Sequence, residues 1–295
     1  MSVGRSIVFG LATSTSFERA VRMVPLGERA AWRAASRYVA GTGPSRAWEV
    51  ARRLHQQGTG ASLDQFGELV SDPATAERVA ADYLRLAEEL AAQPEDVWLS
   101  IDLSHLGLDI DRGRCAAHLA EIAAALPAGR RIQVGAEDYE RADAIRSCIL
   151  SAARAGGGLA DRLGATVQAN LRRSGGDAER LMAAGVQIRL VKGAYVEPAA
   201  RALPYGEPTD IAYVLLAHRL ADAGADFALA THDGVIREAL LAALGPRPVE
   251  QLLGVRPDVL IELVARGIPV RVYVPFGADW FRYWMRRVAE SRGSS

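Results

Sequence analysis

Gln187-Ile188-Arg189-Leu190-Val191-Lys192-Gly193-Ala194-Tyr195-Val196-Glu197-Pro198 is a short apolar run with two cations set into it, broken by a glycine and closed by a proline. Ile188, Leu190 and Val191 favour a buried strand, and Gly193 stops it. Arg189 therefore lies within the strand, and Lys192 and Gly193 lie at its carboxyl end. An unpaired buried charge is costly, so both cations need anionic partners. Two readings supply them. One is an anionic ligand, such as a phosphate-bearing cofactor, with Gly193 letting backbone N–H groups come close. The other is an internal Arg–Glu pair followed by an ordinary turn.

Working outward, the same unit repeats. From Gly58 onward a short apolar segment is followed by an amphipathic helix, over and over. The apolar segments are 61–66, 97–103, 131–134, 165–169, 187–191, 227–230, 249–253 and 268–274. The helical patterns after them are 73–92, 111–126, 139–155, 176–184, 209–223, 235–244, 257–266 and 279–290. Asp72 is placed to cap the first of these, with Pro73 in its first turn. Strands alternating with helices of this length imply a parallel sheet, and eight such units fit a closed (β/α)₈ barrel. No Gly-x-Gly-x-x-Gly follows an early strand, which weighs against an open dinucleotide-binding sheet. Residues 1–57 carry helical spacing only, at 17–24, 28–39 and 46–57, and read as a helical N-terminal arm before a catalytic barrel at 58–295.

Composition narrows the function. The chain has 295 residues, 49% of them hydrophobic and 24% charged, enough for a sizeable core. The 35 basic and 35 acidic residues balance, which argues against a general nucleic-acid binder. Cys115 and Cys148 have no metal-ligand spacing and suggest a reducing compartment. No signal peptide and no membrane-length apolar run is read, so the expected location is cytoplasmic.

In a barrel the chemistry sits at the carboxyl ends of the strands. Those positions hold Asp102 and His105, Glu137, Gln168 and Asn170, Arg189 and Lys192, Thr231-His232-Asp233, and Tyr273. Singly, each is an ordinary solvated loop residue; as a set they converge on one mouth. His232 follows a wholly apolar segment and has no second histidine nearby, so no metal site is read. In the last helix Tyr283, Arg286, Arg287 and Glu290 fall at i, i+3, i+4 and i+7 and share one face. Trp280, Phe281, Trp284, Met285 and Val288 occupy another side and anchor it. Two neighbouring guanidinium groups beside a tyrosine suit a carboxylate, and a solvated Arg/Glu face is the alternative.

Five segments in register resemble the monofunctional bacterial proline dehydrogenases: Val167-Gln-Ala-x-Leu171, Arg189-Leu-Val-Lys-Gly-Ala-Tyr195, Ala230-Thr-His-Asp233, Val272-Tyr-Val-Pro-Phe-Gly277 and Tyr283-x-x-Arg-Arg-x-x-Glu290. The earlier Gly60-x-Ser-Leu-Asp64-x-x-Gly-Glu68 is similar too, so the likeness runs from about residue 58 to 290. The resemblance implies a (β/α)₈ barrel holding FAD noncovalently at its strand ends, with the last helix over the mouth. It implies oxidation of L-proline to Δ1-pyrroline-5-carboxylate by hydride transfer to flavin N5, then electron transfer to a quinone or other acceptor through transient contact with the inner face of the membrane. By position, Ala136, Gln168, Lys192, Gly193, Ala194, Thr231 and His232 would contact FAD, and Arg189 would lie beside the flavin and tune it. Arg286 and Arg287 would clamp the substrate carboxylate, Tyr273 and Tyr283 would pack on its ring, and Glu290 would support the arginines.

Three positions depart from the pattern. The second strand ends in Asp102 where the family carries lysine. The third has Gly135-Ala-Glu137 where the family has Asp-x-Glu. Asn170 replaces a tyrosine. A carboxylate at 102 repels an anionic substrate by several kcal/mol where solvent is excluded. The expectation is FAD binding with weak or absent action on L-proline itself. The preferred substrate would be a related carboxylate-bearing amine with an added positive or hydrogen-bonding group. A flavoenzyme of specialised metabolism acting on a modified proline, an amine or a hydrazine is one alternative, and a non-catalytic barrel that binds a metabolite or partner is the other.

Overall fold

The computed structural model describes residues 25–291. Two helices come first, α1 (Pro25–Ala35) and α2 (Pro44–Gln56). Eight strand–helix units follow: β1 (Gly60–Gln65), α3 (Pro73–Glu89), β2 (Val97–Ile101), α4 (Arg112–Ala125), β3 (Ile132–Val134), α5 (Tyr139–Ala153), β4 (Leu163–Gln168) and α6 (Ser174–Ala183), then β5 (Gln187–Val191), α7 (Glu207–Asp222), β6 (Phe227–Ala230), α8 (Gly234–Leu244), β7 (Val249–Leu252), α9 (Pro257–Ala265), β8 (Val270–Phe276) and α10 (Trp280–Ser291). The strands pair in chain order and β8 closes on β1, giving a parallel eight-stranded barrel. The expected barrel strands and helices are present with ends shifted by no more than two residues, except that the first barrel helix finishes in a 3-10 turn at Leu90–Ala92; the helix expected at 28–39 is realised three to four residues earlier, at Pro25–Ala35. The helical segment expected at 17–24 lies outside the described residues.

Local chemistry accounts for the helix starts. Asp72, Asp111, Asp138 and Asp233 cap α3, α4, α5 and α8, accepting backbone N–H bonds from Thr75 (2.9 Å), Arg114 (2.9 Å), Arg141 (3.1 Å) and Val235 (3.0 Å). Each cap lies on a strand-to-helix connection, so the helix N-termini gather at the strand-end rim.

Strand periodicity divides each strand between two environments. Leu63, Leu99, Ile101, Ile132, Val134, Ile188, Leu190, Leu229, Val272 and Val274 belong to one continuous core with the buried faces of the helices. Most of the alternate positions are polar, Ser62 and Asp64, Ser100 and Asp102, Gln133, Thr166 and Gln168, Gln187 and Arg189, Glu250, Arg271 and Tyr273, while Trp98, Val191, Ala228, Ala230 and Leu252 are apolar. A barrel interior is usually filled by branched apolar side chains; this one is hydrogen-bonding and charged.

Helix α10 packs on α1, and a second apolar cluster joins Ala31, Ala35, Val39, Trp280, Phe281, Tyr283 and Met285. Tyr283 and Arg287 lie side by side on α10, the guanidinium carbon 5.2 Å from the ring centroid. Tyr283 is buried with the anchoring residues, its ring 5.1 Å from Phe66 and 6.3 Å from Tyr273. The loop after β1 and the end of β8 stand directly beneath α10, and an exposed tyrosine there would leave both rings uncovered.

Candidate active site

Arg189, on β5, is buried, and its Nε donates to Glu250 Oε2 on β7 at 2.6 Å. The internal Arg–Glu pairing is thus the reading realised for this residue. It does not exhaust the guanidinium, because Nη2 is buried without a hydrogen-bond partner. Lys192 is likewise satisfied from within, by Asp210 at 2.6 Å and Asp233 at 2.7 Å. Burial works to lower its pKa, but the two carboxylates outweigh that and raise it.

Asp64, part of the Gly60–Glu68 segment, proves central. It is buried at the end of β1 beside Ser100, Arg189 and Tyr273. Burial pushes its carboxyl up to about 6, against the pull of the Ser100 hydroxyl, the Arg189 charge and the Tyr273 hydroxyl. Tyr273 is held well above the usual phenol range, first by burial and then by Asp64, Tyr283 and Asp102. Asp64 and Asp102 thus both act on the Tyr273 hydroxyl, and the β1–β2 side of the mouth is acidic.

The opposite side is basic. His232, after β6, has its pKa lowered to about 4 by burial and then by Arg287, Arg237 and Arg256. Its Nε2 faces the Leu252 N–H at 3.4 Å, while Nδ1 is buried without a partner. A neutral imidazole accepting at Nε2 carries its proton on Nδ1 and offers a donor there. Arg287 of α10 lies over the Tyr283 ring, its Cζ 5.2 Å from the centroid, and its charge acts on His232. Arg286 and Glu290 belong to the same helix, but their side chains lie outside the described residues.

The loop after β5 crosses toward β4 and α5. Leu203 N–H donates to Asn170 O at 2.8 Å, and Glu197 Oε1 accepts from Tyr139 N at 2.8 Å. Gly193 has φ +113°, and a Cβ there would overlap the Asn170 carboxamide. Glycine at 193 and asparagine at 170 are therefore one arrangement, with Asn170 Oδ1 buried and unpartnered. Ala194 and Tyr195 are exposed beyond it, Ala136 is half-buried after β3, and Thr231 is buried after β6. Gln168 Nε2 donates to Glu137 O at 2.9 Å, and Glu137 Oε1 accepts from Ser104 N at 2.9 Å, tying the ends of β2, β3 and β4 together. Glu137 is thereby a structural brace, its carboxyl raised by burial and held back by Ser104.

Sequence reading missed Glu250, Ser100 and Arg271, and gave Asp64 no role. A signal was present: in most strands polar residues alternate with Ile, Leu and Val. A cavity of about 780 Å³ lined by Trp32, Arg37, Arg53 and Trp280 lies on the α1–α2 side and includes none of these groups. Among the described residues no helix is long and apolar enough to cross a membrane.

Comparison with known proteins identifies the family and the fold. Residues 47–295 match the family model described as proline dehydrogenase. Proline dehydrogenase 1 of Bacillus subtilis subsp. natto is 34% identical over 264 residues, covering 87% of this chain and 86% of that protein. Proline dehydrogenase of Deinococcus radiodurans is 34% identical over 277 residues, covering 90% and 89%. The fold matches crystalline proline utilization A from Bdellovibrio bacteriovorus with a TM-score of 0.83 at 17% identity; the match takes in 99% of this chain and 37% of that longer one. The charged strand ends under a capping helix and the match along nearly the whole chain lead to one conclusion: the chain belongs to the proline dehydrogenase family, flavin-dependent oxidoreductases built on this barrel.

Proposed function

We propose that this enzyme oxidises a C–N bond of L-proline or a related carboxylate-bearing amine, with FAD bound noncovalently at the strand ends. The observation that carries the reading is the bipolar mouth, with Asp64 and Asp102 acting on Tyr273 from one side and the Arg287 charge acting on His232 from the other. An amino acid is itself bipolar, and such a mouth orients it. The donor set suits FAD: Arg189 Nη2 and His232 Nδ1 are buried N–H groups in need of acceptors, and Gly193 opens the backbone where a Cβ would block it. When bound, FAD supplies the hydride acceptor.

The residues of the chain do the rest. Arg287, with Arg286, receives the carboxylate; a charge-assisted contact of this kind contributes roughly 1.5–3 kcal/mol. Tyr273 and Tyr283 pack on the carbon skeleton. Asp64 and Asp102 favour a positively charged nitrogen end. Asp102 also weighs against plain L-proline and toward a substrate with an added amino or hydroxyl group. L-proline itself is the second reading, favoured by the relatives named proline dehydrogenase. The enzyme would work in the cytoplasm and pass its electrons to a quinone, by transient contact with the membrane, or to a soluble acceptor.

The test is anaerobic bleaching of the bound flavin by a panel: L-proline, D-proline, hydroxylated and N-substituted prolines, acyclic secondary amines and hydrazines. We expect bleaching by a substituted, carboxylate-bearing amine at concentrations where L-proline is slow. Fast bleaching by millimolar L-proline would select the second reading. Absence of flavin absorbance even after FAD is added would overturn both.

A further inference from the structure

Four charged side chains alternate in sign inside the barrel. Arg271 on β8 stacks on Trp98, its Cζ 3.3 Å from the ring centroid, and its Nη1 donates to Ala61 O at 2.9 Å and Asp96 O at 2.6 Å. Burial lowers its pKa to about 9, Glu250 draws it back up, and Arg189 pushes it down. Glu250 stands opposite Arg271 in the β7–β8 register and grips Arg189 at 2.6 Å. Arg189 in turn acts on Asp64. The series runs Arg271, Glu250, Arg189, Asp64, from β8 through β7 and β5 to β1.

The Arg189–Glu250 pair is nearly solvent-free, with side-chain exposures of 8% and 4%. Buried ion pairs add little net stability over apolar packing of the same volume, so stability alone does not account for it. Its geometry is more informative. Glu250 engages Nε and leaves Nη2 buried and unpartnered, an unfavourable state until an acceptor arrives. A free arginine would rotate to satisfy itself; a clamped one cannot.

We infer that Glu250 is a positioning residue for the redox site: it holds Arg189 so that Nη2 meets the flavin as a fixed hydrogen-bond donor, and it cancels the guanidinium charge there. This rests on the flavin reading above. Because a bare cation beside a flavin stabilises the anionic reduced form, the neutralised pair keeps the flavin potential lower than an unpaired Arg189 would.

The experiment uses the full-length flavoprotein, its Glu250→Gln and Glu250→Asp variants, the reduction potential of bound flavin, and FAD binding to apo-protein by fluorescence quenching. Glutamine keeps an acceptor for Nε but removes the charge, so flavin loads normally and the potential moves to more positive values. Aspartate keeps the charge but is one methylene short, so the potential stays near wild type while FAD binding weakens on the order of tenfold. A wild-type potential in Glu250→Gln, or equal shifts in both variants, overturns the inference and leaves the flavin reading standing. If Glu250→Gln fails to fold, the aspartate variant decides: wild-type FAD affinity in it overturns the clamp. Wild-type protein that takes up no flavin overturns the flavin reading, and the inference falls with it.

Discussion

Asp102 stands over Gly135: a Cβ on residue 135 would overlap Asp102 Oδ1 and lie 3.1 Å from its Cγ. Two of the three departures from the family pattern are therefore a single packing unit. With glycine on β3, the carboxylate from the end of β2 takes the space that a side chain at 135 would claim. An anion at this corner of the mouth is supplied from the neighbouring strand, and the cation expected at 102 is gone.

Gly135→Ala forces Asp102 into another rotamer, at a cost of about 1–3 kcal/mol. Asp102→Ala in the same chain recovers most of the loss. A double-mutant cycle by urea unfolding should give a coupling of at least about 0.5 kcal/mol; strict additivity would show that the side chains do not share this space. Asp102→Lys with Gly135→Asp restores the family pattern and should raise the rate of flavin bleaching by L-proline.

Gly193→Ala should damage the strand-five loop for two separable reasons. Its φ of +113° is strained for any L side chain, and the new methyl meets Asn170. The backbone term is about 1–3 kcal/mol. Asn170→Ala relieves only the second effect, so the double variant should remain less stable than Asn170→Ala alone and should bind FAD more weakly by fluorescence titration.

Two histidines set an acid limit. His105 packs its ring where a Gly67 Cβ would lie, and burial lowers its pKa from 6.5 to about 4; His232 is lowered to about 4 as well. Both are neutral when folded. Their contribution is fully present above the unfolded pKa of 6.5 and is lost as pH falls toward about 4. For His105 that is roughly 3 kcal/mol. Unfolding free energy should drop between neutral pH and about pH 5, and His105→Gln should flatten the drop.

Asp64 acts with the opposite sign. Its folded pKa is raised from 3.8 to about 6, so its contribution is present below 3.8 and is lost as pH rises through about 6. At neutral pH the ionised, buried Asp64 costs roughly 3 kcal/mol. Asp64→Asn should therefore unfold at higher urea than wild type at neutral pH, with the advantage vanishing below about pH 4, while turnover falls. An unchanged pH profile of stability would show that Asp64 is not the titrating group.

The sequence by itself determined the order of elements, the barrel and the identity of the strand-end residues. These rest on short-range physics: the period of apolar residues, aspartate caps, and glycine and proline stops all act within a few residues. What only the tertiary structure decided is how those residues pair. Arg189 finds Glu250, a partner 61 residues further along the chain, because β5 and β7 face one barrel interior. Lys192 spends its charge on Asp210 and Asp233, brought to it from α7 and the α8 cap. Asp64 gains a role because closing β1 against β8 sets it beside Tyr273. Asp102 fits because Gly135 on the adjacent strand leaves room. Each of these depends on the register around a closed sheet, which is set by packing between distant segments; local composition does not encode it.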